Sequence, residues 1–500
     1  MPPAFFVRFP RGFFAKFCAV FFARGWRHFG AGRCALDIFG ERRQYKIIVV
    51  YRDLNTAIDV GASAHLIEMD GIRLLLDCGM HPKKLGFEGL PNLSAIEDDT
   101  LDFIALSHAH LDHVGSLPIL AARQNFAHIL AGEVTADLAL RMLRNSRNVM
   151  ARQREEFGIK EYPLYSFEQI DALRPRILPF AMSRPRAFEV ENKKIEICFH
   201  RGGHIPGASA VSVKTAKESL LYTGDISFRN SQLIKGAEIP AEKCDVLIME
   251  TTRGLSARAA ENSYESECER FIESVAEVLK DGGSVLVPAF ALGRMQEILQ
   301  LVKKGRASGL IPSEFPVYAA GLGIDLSEYM LRQARKSAGV SFDKTAYELI
   351  TPFRDKITPA QDFERKGIYI FGSGMMLENT PSYAAASALM EHQGNAIFFV
   401  GYCDPDTPGG RLLKKAKGDT TFVFQNLNYI AKVNCKIDKF DLSSHADRDE
   451  LLNFALRCDP RVVVLTHGEE ESRNWFMDEL MDVAPHIGVV IAQDSEPIRL

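Results

Sequence analysis

At 500 residues the chain is longer than one ordinary hydrophobic core encloses, so about two or three domains are expected. A composition of 46% hydrophobic and 25% charged residues excludes a disordered chain, and nine scattered cysteines without a Cys-x-x-Cys pair exclude a disulfide scaffold or a cysteine-ligated zinc knuckle. The net charge of −4 excludes a broadly basic nucleic-acid-binding face, so any polyanion site must be a local cleft.

Residues 1–46 stand apart. They hold nine Lys/Arg against two Asp/Glu, and ten of the 33 phenylalanines. Phe9, Phe13, Phe17 and Phe21 recur at helical spacing among Arg8, Arg11, Lys16 and Arg24, the pattern of a targeting or membrane-surface helix. Pro2, Pro3 and Pro10 disfavour a clean helix, and residues 1–45 are read as an extension outside the fold. No apolar run reaches the roughly 20 residues that span a bilayer, and the free cysteines suit a reducing cytoplasm.

From residue 46 strands and helices intermix. KIIVVYR (46–52), SAHLIEM (63–69) and IRLLLDCG (72–79) read as strands, with Asp70-Gly71 as a hairpin turn. FIALS (103–107) reads as a buried strand, and residues 136–157 as a helix. KIEICFH (194–200), AVSVKT (210–215), ESLLYTGD (218–225) and DVLIMETT (245–252) are further strands. Strand–helix alternation then begins: helix 263–280, strand 284–290, helix 294–304, and strands 316–320, 367–373 and 396–403. That rhythm points to a parallel-sheet α/β unit. Helix 449–457 and strand RVVVLTHGE (461–469) close the pattern.

The chemistry concentrates at SHAHLDH (107–113), directly after the buried strand. A lone histidine is usually a solvated or core side chain. Here His108, His110, Asp112 and His113 lie within six positions, a density that points to metal. A loop leaving a strand can turn His108 and His110 to one ion while Asp112 and His113 face another. Imidazole and carboxylate are zinc ligands, and a catalytic site keeps a position open. Further candidates sit at strand ends: His204 in HRGGHIPGAS, Asp225 in LLYTGD and His467 in VVVLTHGE.

SHAHLDHVGSLP, LLLDCGMHP, GGHIPGAS and YTGD resemble, in order, the motifs of the metallo-β-lactamase superfamily. VLIMETTRG, VPAFALGRMQE, GSGMM, VGYC, SSHAD and LTHGE resemble its β-CASP branch, whose members process RNA or DNA. The pattern is most similar to the ribonucleases that include the endonuclease subunit of the cleavage and polyadenylation specificity factor and its prokaryotic relatives. The resemblance implies an α/β fold, a metallo-β-lactamase αββα sandwich with an inserted Rossmann-like β-CASP domain. Residues 46–250 and 425–500 would form the sandwich and 251–424 the cap. It implies two zinc ions, one held by His108, His110, His204 and Asp225, the other by Asp112, His113, His467 and the bridging Asp225. Asp77 would orient the site from behind. His445 in SSHAD would be the general acid and Glu250 its partner, with Asp112 also counted in the catalytic set. The implied reaction is hydrolysis of single-stranded RNA to 5′-phosphate and 3′-hydroxyl ends by a cytoplasmic protein without a membrane span in its core, monomeric or homodimeric.

Ser373, Gly374 and Met375 in GSGMM are either a phosphate-binding turn or an ordinary strand-to-helix turn. Arg294 is either a helix-start arginine or an RNA contact. Two departures stand out. YAAGLG (318–323) lacks an acidic residue common in the family, and TTRG replaces the frequent STYG. The latter makes Arg253 either an added phosphate contact or a solvated surface residue. Two alternatives follow from the same branch. One is a DNA nuclease, against which His467 argues; the other is a non-catalytic scaffold, against which the full ligand set argues.

Overall fold

The computed structural model describes residues 49–258, 262–335, 339–415, 420–492 and 495–500. The extension expected over residues 1–45 therefore lies outside the described residues. Strands Val49–Asp53, His65–Met69 and Ile72–Leu76 pair antiparallel. Asp70 and Gly71 join the last two at φ 54° and 76°, with Met69 opposite Ile72. A two-residue hairpin of this twist needs positive φ at both central residues, which Asp-Gly adopts at little cost.

Phe103–Leu106, His128–Gly132 and Ile177–Phe180 extend this sheet in parallel, and Ile498–Arg499 adds the opposite edge, making seven strands. A second seven-stranded sheet starts with the antiparallel run Arg186–Val190, Lys193–Arg201, Ser209–Thr215 and Ser219–Tyr222. Val246–Glu250, Val462–Thr466 and Gly488–Ile491 complete it in parallel. The two sheets pack face to face, with Tyr51, Ile67, Leu74 and Phe103 from one and Phe199, Val211, Tyr222 and Ile248 from the other in one buried core.

Helices close both outer faces. Glu133–Phe157 lays Leu138, Leu143 and Met150 on the side of the first sheet that carries Ile104 and Ile129. Arg448–Cys458 and Glu470–Val483 set Leu451, Phe454, Phe476 and Leu480 against Leu247, Met249, Val463 and Leu465 of the second. The result is the expected αββα sandwich. Among the described residues no helix is long and apolar enough to cross a membrane.

Val246–Glu250 and Val462–Thr466 are neighbours in one sheet, so most of the chain between them is an insertion. It builds a six-stranded sheet, entirely parallel, in the order Ile350–Pro352, Val317–Ala319, Ile368–Phe371, Val285–Pro288, Ala396–Phe399, Lys436–Lys439. Burial on both faces explains why IYIF and AIFF are continuous apolar runs rather than alternating ones. The expected Rossmann-like cap is present.

The return to the sandwich, expected at residue 425, comes later. After the hairpin Thr421–Phe424 and Tyr429–Lys432, the strand Lys436–Lys439 still pairs in parallel with Ala396–Phe399 of the cap sheet. KIDK at a sheet edge is half-exposed and polar, so it has no hydrophobic period by which to be recognised.

Candidate metal centre and active site

The strand Phe103–Leu106 is wholly buried and delivers the histidine cluster to the end of the sandwich. His110 precedes the short helix Leu111–Val114, which carries Asp112 and His113. His204 comes from the turn after Lys193–Arg201, Asp225 from beyond Ser219–Tyr222 and His467 from directly after Val462–Thr466. All seven candidates converge. His108, His110, His204 and Asp225 place one donor atom each within 4.8 Å of one another, and Asp112, His113 and His467 form a second such group.

Asp225 joins the two. Its Oδ2 lies 3.6 Å from His108 Nε2, 3.5 Å from His113 Nε2 and 3.7 Å from His204 Nε2, and its Oδ1 lies 3.3 Å from His467 Nδ1. His110 Nδ1 is 3.2 Å from His108 Nε2 and 3.3 Å from His204 Nε2, while His113 and His467 bring their Nε2 atoms to 3.2 Å. Bonds of about 2.0–2.1 Å in a tetrahedral shell put ligand atoms roughly 3.3 Å apart. The donor set fits divalent metal. Asp225 Oδ1 and His110 Nε2 are also buried without a hydrogen-bond partner, which a well-packed interior rarely tolerates.

Burial holds His108 and His204 well below the ordinary imidazole range, so both are neutral, as a ligating imidazole must be. For Asp225 burial opposes ionisation, but His467 and His113 outweigh it and hold the carboxyl low.

Asp77 sits behind the cluster, fully buried, at φ 60°. It accepts hydrogen bonds from Ser107 N at 2.6 Å, Ser107 Oγ at 2.6 Å and Tyr222 Oη at 2.7 Å, and lies 2.7 Å from His113 Nδ1. Ser107 and Tyr222 escaped the sequence reading, because a serine before a histidine and a tyrosine in a strand carry no signal of a shared partner. Gly224 at φ 55° allows this approach: a Cβ there would stand 2.7 Å from Ser107 Cβ. Gly224→Ala is therefore expected to cost about 1–3 kcal/mol, read as a lower denaturant midpoint.

Glu250 ends its strand at 1% exposure, with Oε1 accepting from Ile226 N at 2.7 Å. Its Oε2 accepts from Thr252 Oγ1 at 2.6 Å and is 2.8 Å from His445 Nδ1. The His445 ring lies 4.4 Å from that of His204, at the edge of the metal cluster. Burial works against its protonation, and Glu250 more than offsets this, raising its pKa.

The cluster opens into a cavity of about 420 Å³ between sandwich and cap, lined among others by Met142, Ile205, Phe290, Arg294, Ser373 and Met375. Gly374 does not line it and packs on the Phe290 ring. Arg294 is 7% exposed and paired with Glu297, which also accepts from Tyr264. Arg253 is not the solvated surface residue of one expected reading. It is 8% exposed, and both Nη atoms donate to Asp441 at 2.8 Å.

Three family models match the chain: the metallo-beta-lactamase superfamily over residues 57–289, the Beta-Casp domain over 295–412, and the Zn-dependent metallo-hydrolase RNA specificity domain over 430–491. Probable RNase MJ4 of Methanocaldococcus jannaschii is 27% identical over 452 residues, covering 88% of this chain and 98% of the relative. RNase aCSPSF2 of Saccharolobus solfataricus is 28% identical over 470 residues, covering 93% and 87%. Cleavage and polyadenylation specificity factor 73 of Drosophila melanogaster is 27% identical over 427 residues, covering 84% of this chain and 60% of the relative. A crystal structure of a protein of unknown function from Enterococcus faecalis V583 shares the fold, with a TM-score of 0.52, 13% identity and coverage of 91% of this chain and all of the other. With its sandwich, inserted cap and divalent-metal donor set, the chain belongs to the β-CASP ribonuclease family of the metallo-β-lactamase superfamily, a family of metal-dependent hydrolases.

Proposed function

We propose that the chain is a zinc-dependent ribonuclease that hydrolyses single-stranded RNA and leaves 5′-phosphate and 3′-hydroxyl ends. The observation that carries this reading is the pair of buried Glu250 and partly exposed His445, 2.8 Å apart, at the edge of the seven-residue donor cluster, with His445 facing the interlobe cavity. The names of relatives from M. jannaschii and S. solfataricus, both RNases, favour RNA over DNA.

Zinc suits a donor set of imidazoles and carboxylates, with His108, His110, His204 and Asp225 for one ion and Asp112, His113, His467 and the shared Asp225 for a second. Bound there, the ions supply water acidic enough to be a nucleophile near neutral pH. The residues of the chain then do three things. Asp77 fixes the His113 ring through Nδ1. Glu250 holds Nδ1 of His445 and favours its cationic form. As the P–O3′ bond breaks and its electron pair passes to the oxygen, His445 gives that oxygen the proton of Nε2. Ser373, Met375 and Arg294 line the cavity where the RNA strand would lie, and Gly374 shapes that wall through Phe290.

Digesting one RNA labelled separately at each end, beside a DNA strand of the same sequence, tests the reading. RNA-selective ladders with 5′-phosphate and 3′-hydroxyl ends are expected; a metal-loaded, folded protein inert on RNA would overturn it. Asp77→Asn keeps the shape but cannot accept from all its donors. Metal affinity is expected to fall about 10–100-fold, measured by metal retained after dialysis against graded chelator.

A further inference from the structure

The loop that carries His445 is held at both ends by arginines of the segment that follows Glu250, at the shortest distances by Arg253. Arg253 stands three residues after Glu250 on the segment that leaves the strand Val246–Glu250. Its Nη1 and Nη2 donate to the two oxygens of Asp441, each at 2.8 Å, and its Nε lies 2.9 Å from Asp447 Oδ1. Asp441 and Asp447 bracket residues 442–446, the stretch that contains His445. The same short segment thus contacts His445 directly through Glu250 at 2.8 Å and grips the ends of its loop through Arg253. Thr252 between them donates to Glu250 Oε2 at 2.6 Å, so the segment is itself braced.

We propose that Arg253 is a positioning residue for the acid step: it sets where the His445 imidazole stands against Glu250 and the scissile bond. The inference rests on the ribonuclease reading above. A planar guanidinium bonded to a carboxylate through both Nη atoms defines one orientation, which a point charge does not. A phosphate contact is disfavoured, since all three guanidinium nitrogens already face carboxylates; turning them to substrate would give up the two-point bond to Asp441.

A purely structural role is also disfavoured. Arg258 touches the same two carboxylates, Nη2 at 3.3 Å from Asp441 Oδ2 and Nε at 3.2 Å from Asp447 Oδ2, and Arg229 Nη1 is 3.4 Å from Asp447 Oδ2. Without Arg253 the acids keep Arg258 and Arg229 as cationic partners, and what disappears is the planar two-point bond that holds Asp441 to the residue three positions after Glu250. A misplacement of about 1 Å in a reacting group can cost on the order of 10²-fold in rate.

The test compares two substrates on metal-loaded protein: single-stranded RNA, whose 3′ alkoxide needs a proton to leave, and bis(p-nitrophenyl) phosphate, whose p-nitrophenolate leaves without one. In Arg253→Ala, kcat on RNA is expected to fall roughly 10- to 100-fold, with KM within about 2-fold and turnover of the nitrophenyl ester nearly unchanged. Asp441→Asn, which loosens one arm of the grip, is expected to show the same selective loss, smaller in size. It also serves should Arg253→Ala fold poorly. Equal loss on both substrates overturns positioning in favour of general destabilisation or metal loss. A raised KM for RNA with kcat intact overturns it in favour of a phosphate contact. Wild-type protein that turns over only the ester overturns instead the ribonuclease reading, and the inference with it.

Discussion

Asp225→Ala is expected to lose metal and activity together. The carboxylate touches four of the six histidines and aspartates around it, His108, His113 and His204 through Oδ2 and His467 through Oδ1, at 3.3–3.7 Å. The neighbouring acids are committed elsewhere: Asp77 to Ser107, Tyr222 and His113, Glu250 to Ile226, Thr252 and His445, and Asp112 to the other donor group, 3.9 Å from His113 and 3.5 Å from His467. Losing a group outside a ligand set typically costs about 10–100-fold in metal affinity or activity, so loss of the shared ligand is expected to exceed that. Elemental analysis after dialysis should find less than the wild-type metal content, with RNA cleavage below detection. Full metal content in Asp225→Ala would refute the shared-ligand role. The variant is not expected to unfold, because an alanine there leaves both sheets and their common core untouched.

His445→Ala is expected to separate chemistry from metal binding. His445 reaches Glu250 through Nδ1 and lies with its ring 4.4 Å from that of His204, tilted by 51°, outside both main donor groups. Its removal leaves Glu250 bonded to Ile226 N and Thr252 Oγ1, so the buried carboxylate keeps partners. General acid catalysis contributes about 10²–10⁴-fold; kcat on RNA should fall by that factor while metal content and KM hold. Chemical denaturation should give a midpoint close to wild type. RNA cleavage at the wild-type rate would exclude His445 as the acid. A variant that also loses metal would instead place His445 among the ligands, a role its position beside Asp225 and Glu250 makes worth checking.

Much of the site was legible because its parts are local. His108, His110, Asp112 and His113 fall in six residues, and the strand before them is four buried residues in a row. The hairpin at Asp70-Gly71 is equally local, since two positive φ angles are demanded by the turn itself. The burial of Arg253 was not legible for the opposite reason. Its main partner, Asp441, is 188 residues away, so nothing near TTRG marks the arginine as buried. The edge strand Lys436–Lys439 went unrecognised because its polar residues gain their order from backbone pairing with Ala396–Phe399, not from burying side chains.

By itself the sequence picked out the candidate donors and their places at strand ends, because a strand-end loop and a dense cluster of imidazoles are properties of a few consecutive residues. Tertiary structure alone decided which donors share Asp225, which groups converge on Asp77, how far the cap sheet extends and what Arg253 holds. Each of these joins segments that are not neighbours in sequence, and His467 reaches Asp225 because Val462–Thr466 pairs with Val246–Glu250 across the insertion. A contact between residues a hundred or more positions apart leaves no period, spacing or turn signal in either segment.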